Sequence, residues 1–360
     1  MNRPVYIADC GLLCARGNSG KAVANALWDG EHASSTCQVG KRSFPYFSLP
    51  LDAPDWLTRA EQAVRQVAGQ LGPLASDTPL FIASSSFQIG LFEEQGAVFE
   101  MPLPSASFSR QIAEWLAFSG LCSSVSNACI SGFSAIDAAR NLIAAGQIDE
   151  AVVFGFELAN RSTLAGFAAM ELLSGNVCRP FDARRDGLVL GEAVAAIRLT
   201  AHPTRWRIAG LGTGLDAWSA TGPDPSGGPI ARVTVDALNE ANFKATDIEL
   251  IKLQAAGSPS TDLAEANALH KVFGQHMPPL LSLKPALGHT LGASGIAELA
   301  TLIACLNDDR IPATAGFARA DPEIALFPLV DRSNLHIERA LLNLVGFGGG
   351  LATLIIERQP

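Results

Sequence analysis

The chain has 360 residues, enough for two packed halves or one large α/β unit, and 48% of them are hydrophobic against 17% charged. A formal charge of −9 leaves no broad basic surface for nucleic acid, and the 33 glycines and 21 prolines are spread out rather than clustered as in low-complexity sequence. The seven cysteines are odd in number and form no CxxC pair, which excludes a disulfide framework and a zinc site; reduced thiols and no metal are expected.

Short β-branched runs alternate with helical periods along the chain. In the first half "VYIADCGLL" (5–13), "LFIASSS" (80–86), "SSVSNA" (123–128) and "EAVVFGFE" (150–157) read as strands, several of them apolar on both faces. Between the last two, Ile130, Phe133, Ile136 and Ile143 recur near helical spacing, and Gly146 is placed to end that helix. A strand–helix–strand unit of this kind implies a parallel sheet covered by helices. The second half repeats the plan. Strands are expected at 205–214, 248–257 and 279–284, with helices at 229–243 and 261–274 and a further helix carrying Ile296, Leu299, Leu302, Ile303 and Leu306. Asp262 and Glu265 have the spacing of a capping box. The chain closes on a Gly-rich turn and strand, "GFGGGLATLIIE" (346–357). The architecture expected is two similar α/β halves, 1–202 and 203–360, the division falling at the His-Pro break in "RLTAHPTRW" (198–206). No run approaches the ~18 apolar residues of a membrane span. The N-terminal stretch lacks the sustained apolar segment of a signal peptide. A cytoplasmic protein is expected.

Two segments carry residues suited to chemistry. In "SNACISGF" (126–133) Cys129 sits at a strand-to-helix turn among small neighbours. Free N–H groups and the helix dipole there favour a thiolate, while a small buried apolar residue is the plainer reading. In "SLKPALGHTLGASG" (282–295) His289 lies in a Gly-flanked loop beyond Lys284, after a buried strand and before a helix, where open α/β sheets build sites; an ordinary turn histidine is the alternative. His32, His202, His270, His276 and His336 have no evident partner. "GFGGG" lacks the Walker lysine and GxGxxG spacing, and a turn whose N–H groups face a reacting carbonyl suits it better than a phosphate loop.

Taken together and in order, these segments resemble the β-ketoacyl-acyl-carrier-protein synthases, condensing enzymes of the thiolase superfamily. "VSNACISGFSAIDAARNLIAAGQIDEAVVFG" is similar to the family's nucleophile segment, "RPFDARRDGLVLGEAVAAIRL" (179–199) to a signature that follows it, and "SLKPALGHTLGASGIAE" to its lysine–histidine motif. The resemblance implies a five-layered αβαβα fold with pseudo-twofold halves and a dimer. It implies Cys129 as acyl acceptor, His289, Lys284 and Glu298 as further catalytic residues, and Phe347 and Gly348 in the turn facing the acyl carbonyl. The reaction implied is acyl transfer to Cys129 and Claisen condensation with a malonyl thioester in fatty-acid or polyketide-type synthesis. The partner implied is an acyl carrier protein, and no cofactor is implied beyond the 4′-phosphopantetheine that belongs to the substrate.

One departure stands out. "LQAAGSPSTD" (253–262) has Ala256 where the family carries its first histidine, and the stretch is about two residues shorter than the family pattern. Ser258 and Ser260 retain hydroxyls for the pantetheine arm. A histidine donating to the enolate contributes roughly 10²–10⁴-fold, so condensation is expected to be impaired. The other readings are a non-condensing subunit like a chain-length factor, paired with a complete ketosynthase as in aryl-polyene-type pathways, and a Cys-dependent acyltransferase or thioesterase. The dimer is accordingly a homodimer or such a heterodimer.

Overall fold

The computed structural model describes residues 3–96 and 105–360. Ten strands form one sheet: Val5–Cys14 (β1), Leu80–Ala83 (β2), Cys122–Val125 (β3), Glu150–Glu157 (β4), Ala193–Thr200 (β5), Trp206–Leu215 (β6), Leu250–Lys252 (β7), Leu280–Leu281 (β8), Arg339–Val345 (β9) and Gly350–Arg358 (β10). Six helices matter to the architecture: Trp56–Ala68 (α1), Ser105–Trp115 (α2), Ser131–Ala144 (α3), Gly228–Ala241 (α4), Pro259–Phe273 (α5) and Ser294–Asn307 (α6).

The spatial order β8-β7-β9-β10-β6-β1-β5-β4-β2-β3 is the same five-strand pattern written twice, back to back. In each half two antiparallel ladders (β1–β5–β4; β6–β10–β9) continue into two parallel ones (β4–β2–β3; β9–β7–β8). Each of the first half's five strands in this sheet therefore has a counterpart in the second. β1 and β6 join the halves through the pairs Val5–Ile208, Tyr6–Arg207 and Ile7–Trp206.

Period-two alternation sorts the side chains into layers. On β4, Val152, Phe154 and Phe156 face outward onto α1 and α2 with Trp56, Ala60, Val64 and Ile112, while Ala151 and Val153 face inward. Ile251, Leu341 and Ile355 likewise meet Ala237, Leu238 and Leu269 of α4 and α5 on the outside of the second half. The middle layer is α3 and α6, held between both halves with Phe133, Ile136, Leu299 and Leu302 wholly buried. Each such side chain contributes roughly 1.5–3 kcal/mol. The fold is the five-layered αβαβα arrangement. Because α6 is covered on all sides, the apolar face read from sequence understates it: Ala297, Glu298, Ala300, Thr301 and Cys305 are buried too. The two central helices cross at Gly132, where an added Cβ would stand 3.1 Å from the Ile296 nitrogen.

Four expected strands are shorter than the runs read from sequence. β7 stops at Lys252 instead of reaching 257, β8 stops at Leu281 with a helical turn Lys284–Leu287 following, β2 stops at Ala83, and β3 stops at Val125 instead of reaching 128. In each case the chain leaves the sheet to build a loop at the C-terminal edge of parallel strands. Asp262 and Glu265 are not a capping box. The helix begins earlier, at Pro259 with Ser258 as N-cap, and both carboxylates turn back to the loop before it. All seven cysteines are unpaired, and no described helix is long and apolar enough to cross a membrane.

Candidate active site

Cys129 and His289 occupy equivalent places in the two halves. Cys129 lies in the turn from β3 to α3, and His289 lies in the connection from β8 to α6. Since α3 and α6 pack against each other, the two turns converge, and His289 Nε2 stands 3.1 Å from Cys129 Sγ. Ala128, at φ +44°, turns the chain sharply just before the cysteine, a left-handed conformation that costs a non-glycine residue about 1–3 kcal/mol. The His289 loop is fixed from three sides. Its own N–H donates to Val189 O (2.7 Å), its carbonyl accepts from the Gly191 N–H (3.1 Å), and its Nδ1 meets Ser294 Oγ (3.0 Å). The segment "RPFDARRDGLVLGEAVAAIRL" thus supplies the backbone edge on which the histidine rests. Glu157 at the end of β4 accepts from the N–H groups of Ser85 and Gly292 and ties the same loop to β2.

Cys129 is 5% exposed and His289 3%. Burial pushes the thiol up to about 11, although the backbone N–H of Phe347, the Lys284 ammonium and the cysteine's own N–H pull the other way. Burial and the Lys284 ammonium push His289 down to about 3. The pair therefore rests as neutral thiol and neutral imidazole, which corrects the expectation that the helix terminus alone would favour a thiolate: desolvation outweighs it. His289 is expected to show no protonation step between pH 5 and 8 by NMR of histidine-labelled protein. Neutral imidazole is the form kept when the value is lowered, so a step near 6.5 would contradict this burial effect.

Behind His289 lies a wholly buried ionic cluster. Glu298 on α6 accepts from Lys284 and, at 2.5 Å, from Lys252, whose ammonium also donates to Asn343 O (2.9 Å). Burial would raise Glu298, but the two ammonium groups hold it below the usual carboxylate range. Lys252 was not singled out from the sequence, although a lone lysine inside the apolar run "IELIKLQAAG" is a signal for a buried partner. Neither lysine lines the pocket; both act on it through charge.

The pocket is narrow, with about 30 Å³ open to water, and is lined by Cys129, His289, Phe347, Gln254, Ala256 and Ser258 among others. Phe347 stacks on Phe167 at its entrance, ring centroids 5.2 Å apart. Gly348 does not face the reacting atoms: its N–H is bonded to Ala220 O (2.8 Å), and its φ of +74° serves the turn. Ser258 lines the pocket, whereas Ser260 is exposed outside it, and Thr261 and Thr221 supply further hydroxyls within. None of the other five histidines lines this pocket; His336, for one, pairs with Asp309 on the surface.

Ala256 sits where the sequence pattern leaves its vacancy, on a loop that is fully tied down. The N–H groups of Gln254 and Ala255 go to Glu265, and those of Ala256 and Gly257 to Asp262. The carbonyls of Ala255, Ala256 and Gly257 accept from Ser282 Oγ, Cys178 Sγ and the Gly187 N–H. Burial pushes Asp262 up to about 7 despite these backbone donors.

Fold and paired loops together define a thiolase-like ketosynthase architecture, and the comparisons with known proteins agree. The model of the β-ketoacyl synthase N-terminal domain matches residues 76–204, and that of the C-terminal domain matches residues 206–318. The 3-oxoacyl-[acyl-carrier-protein] synthase 2 of Mycobacterium leprae is 31% identical over 264 residues, which is 69% of this chain and 63% of that protein; the Mycobacterium tuberculosis protein of the same name is 33% identical over 62% of this chain and 58% of its own length. A structure of a ketosynthase in complex with its chain length factor from Xenorhabdus doucetiae superposes with a TM-score of 0.87 at 25% identity, over 99% of this chain and 98% of that one. A β-ketoacyl synthase from Burkholderia phymatum gives 0.85 at 26%, over 100% of both chains. The chain belongs to the β-ketoacyl synthase family.

Proposed function

We propose that this protein is a condensing acyltransferase of the 3-oxoacyl-carrier type in fatty-acid or polyketide-type synthesis. Cys129 is acylated from a thioester of an acyl carrier protein, and the acyl group is joined to a malonyl thioester. The observation that carries the reading is the buried Cys129–His289 pair, 3.1 Å apart, with the Phe347 N–H against the sulfur. As Sγ bonds to the thioester carbon, its proton passes to His289 Nε2. The N–H groups of Cys129 and Phe347 take the charge on the tetrahedral oxygen, and collapse expels the carrier thiolate, which recovers the proton. In the second half-reaction the C–CO₂⁻ bond of the malonyl unit breaks, its electron pair moves onto the thioester oxygen and CO₂ leaves. The enolate carbon then attacks the acyl carbonyl and releases the Cys129 thiolate, which takes up a proton.

In this reading the Lys252–Glu298–Lys284 cluster keeps His289 neutral and able to donate, with Ser294 Oγ, itself donor or acceptor, accommodating either tautomer. Ser258 and Thr261 meet the pantetheine arm, and Phe347 gates the acyl group. The protein needs no cofactor of its own, and it works in the cytoplasm as a dimer. Ala256 favours a second reading, in which the chain is the non-condensing member of a heterodimer with a complete ketosynthase. Co-expression with such a synthase, followed by gel filtration, separates the two dimers.

Incubation with an acyl-carrier thioester should add one acyl mass, mapped to the peptide holding Cys129, and Cys129→Ala should lower that labelling at least 10³-fold. Equal labelling of the alanine variant would refute the assignment. Acylation without any malonyl turnover, alone or with a partner, would leave a simple acyltransferase.

A further inference from the structure

Gln254 is a buried polar side chain of this pocket that the family resemblance did not mark. Its backbone N–H is bonded to Glu265, but its side chain points the other way. Leu253 and Ala255 face the outer core of the second half, so Gln254 and Ala256 share the opposite, pocket-lining face. The residue is 3% exposed, and its Oε1 finds no hydrogen-bond partner. A buried amide oxygen with no donor beside it does not hold the amide in one orientation. A glutamine amide is both donor and acceptor, and a half-turn about its last torsion exchanges the two.

Gln254 and Ala256 line one small pocket together with His289 and Cys129, which places the glutamine amide beside the space above Ala256. Resting on the condensing reading above, we propose that the Gln254 amide donates the second hydrogen bond to the thioester oxygen of the malonyl unit, in the space that Ala256 leaves. Decarboxylation requires charge to be stabilised on that oxygen and no proton to be moved to it, so a neutral amide in a water-poor pocket can serve where an imidazole is absent. His289 Nε2–H supplies the other donor once Cys129 is acylated and its thiol proton is gone. The short loop fits this assignment, because a fixed backbone sets the amide's approach to the oxygen.

The test is binding, made in the Cys129→Ala background so that neither acylation nor thiol addition enters and a wrong nucleophile assignment leaves the result readable. Two probes are compared by calorimetry: a pantetheine ketone, with methylene in place of sulfur and the carbonyl kept, and the alkyl pantetheine lacking the carbonyl. The parent should prefer the ketone at least tenfold. Gln254→Met, which fills the same volume without a donor, and Gln254→Ala should each reduce that preference to threefold or less. Full preference in the methionine variant would assign Gln254 to packing and overturn the proposal, as would the absence of any preference in the parent.

Discussion

Exchanging Glu298 for glutamine is expected to be the most damaging single change outside the reacting pair. The carboxylate is the shared anion for two lysines that are both 0% exposed, and glutamine leaves two ammonium groups facing each other in the core. Breaking a buried pair by removing one member costs about 3–5 kcal/mol, and here one substitution breaks two. For a chain of this size that amounts to a fall in Tm on the order of 10 °C. The pH dependence follows from the direction of the Glu298 shift. Its carboxyl is held below the usual value of 4.5, so its contribution is complete above that pH and is lost as the pH falls through the folded-state value. Melting curves of wild type and Glu298→Gln should therefore differ most near neutrality and converge in acid. Lys252→Met is expected to be milder, because Glu298 keeps Lys284. It should raise the His289 titration toward the ordinary imidazole value, since the Lys252 charge is one of the causes that lowers it. Equal Tm values for wild type and Glu298→Gln at pH 7 would show that the cluster is dispensable.

What could be read from the sequence was whatever local pattern encodes. The alternation in "EAVVFGFE" gave β4, the helical recurrence from Ile130 to Ile143 gave α3, and small residues around Cys129 and His289 marked the two turns. The repeat of the plan was legible because each half has to satisfy the same parallel-sheet geometry. Side chains whose partners are distant in the chain were not legible. Asp262 and Glu265 have a spacing that suits a local cap, yet their acceptor oxygens are taken by the preceding loop and by Phe181. Ser260 and Thr261 differ by one position, and only the direction of the first turn of α5 decides which of them enters the pocket. The resting state of Cys129 follows from burial by both halves, which no helix-terminus argument contains. Lys252 belongs to an intermediate class: its unlikeness to its neighbours is visible in sequence, but its partner is 46 residues away.

Ala256→His should raise the release of CO₂ from a malonyl carrier thioester at least tenfold. The reason is geometric as much as chemical. The position lies on the pocket face, 3% exposed, on a loop whose N–H groups from Gln254 through Gly257 are all bonded to two buried carboxylates. A new side chain there is carried by a backbone already fixed, so little ordering entropy opposes its use. A well-placed imidazole contributes roughly 10²–10⁴-fold, and the lower part of that range is expected because the loop is about two residues short of the family pattern and Gln254 occupies part of the space. The imidazole and the amide would compete for one oxygen, so the gain should be larger when Gln254→Ala is combined with Ala256→His than with Ala256→His alone, relative to the matching parents. His289→Ala in either background should abolish the gain, since both schemes need its Nε2–H. Measured CO₂ and acetyl-carrier formation decide the matter. Wild-type release already at the rate of a complete synthase, unaffected by Ala256→His, would mean that the pocket had never lacked a donor at all.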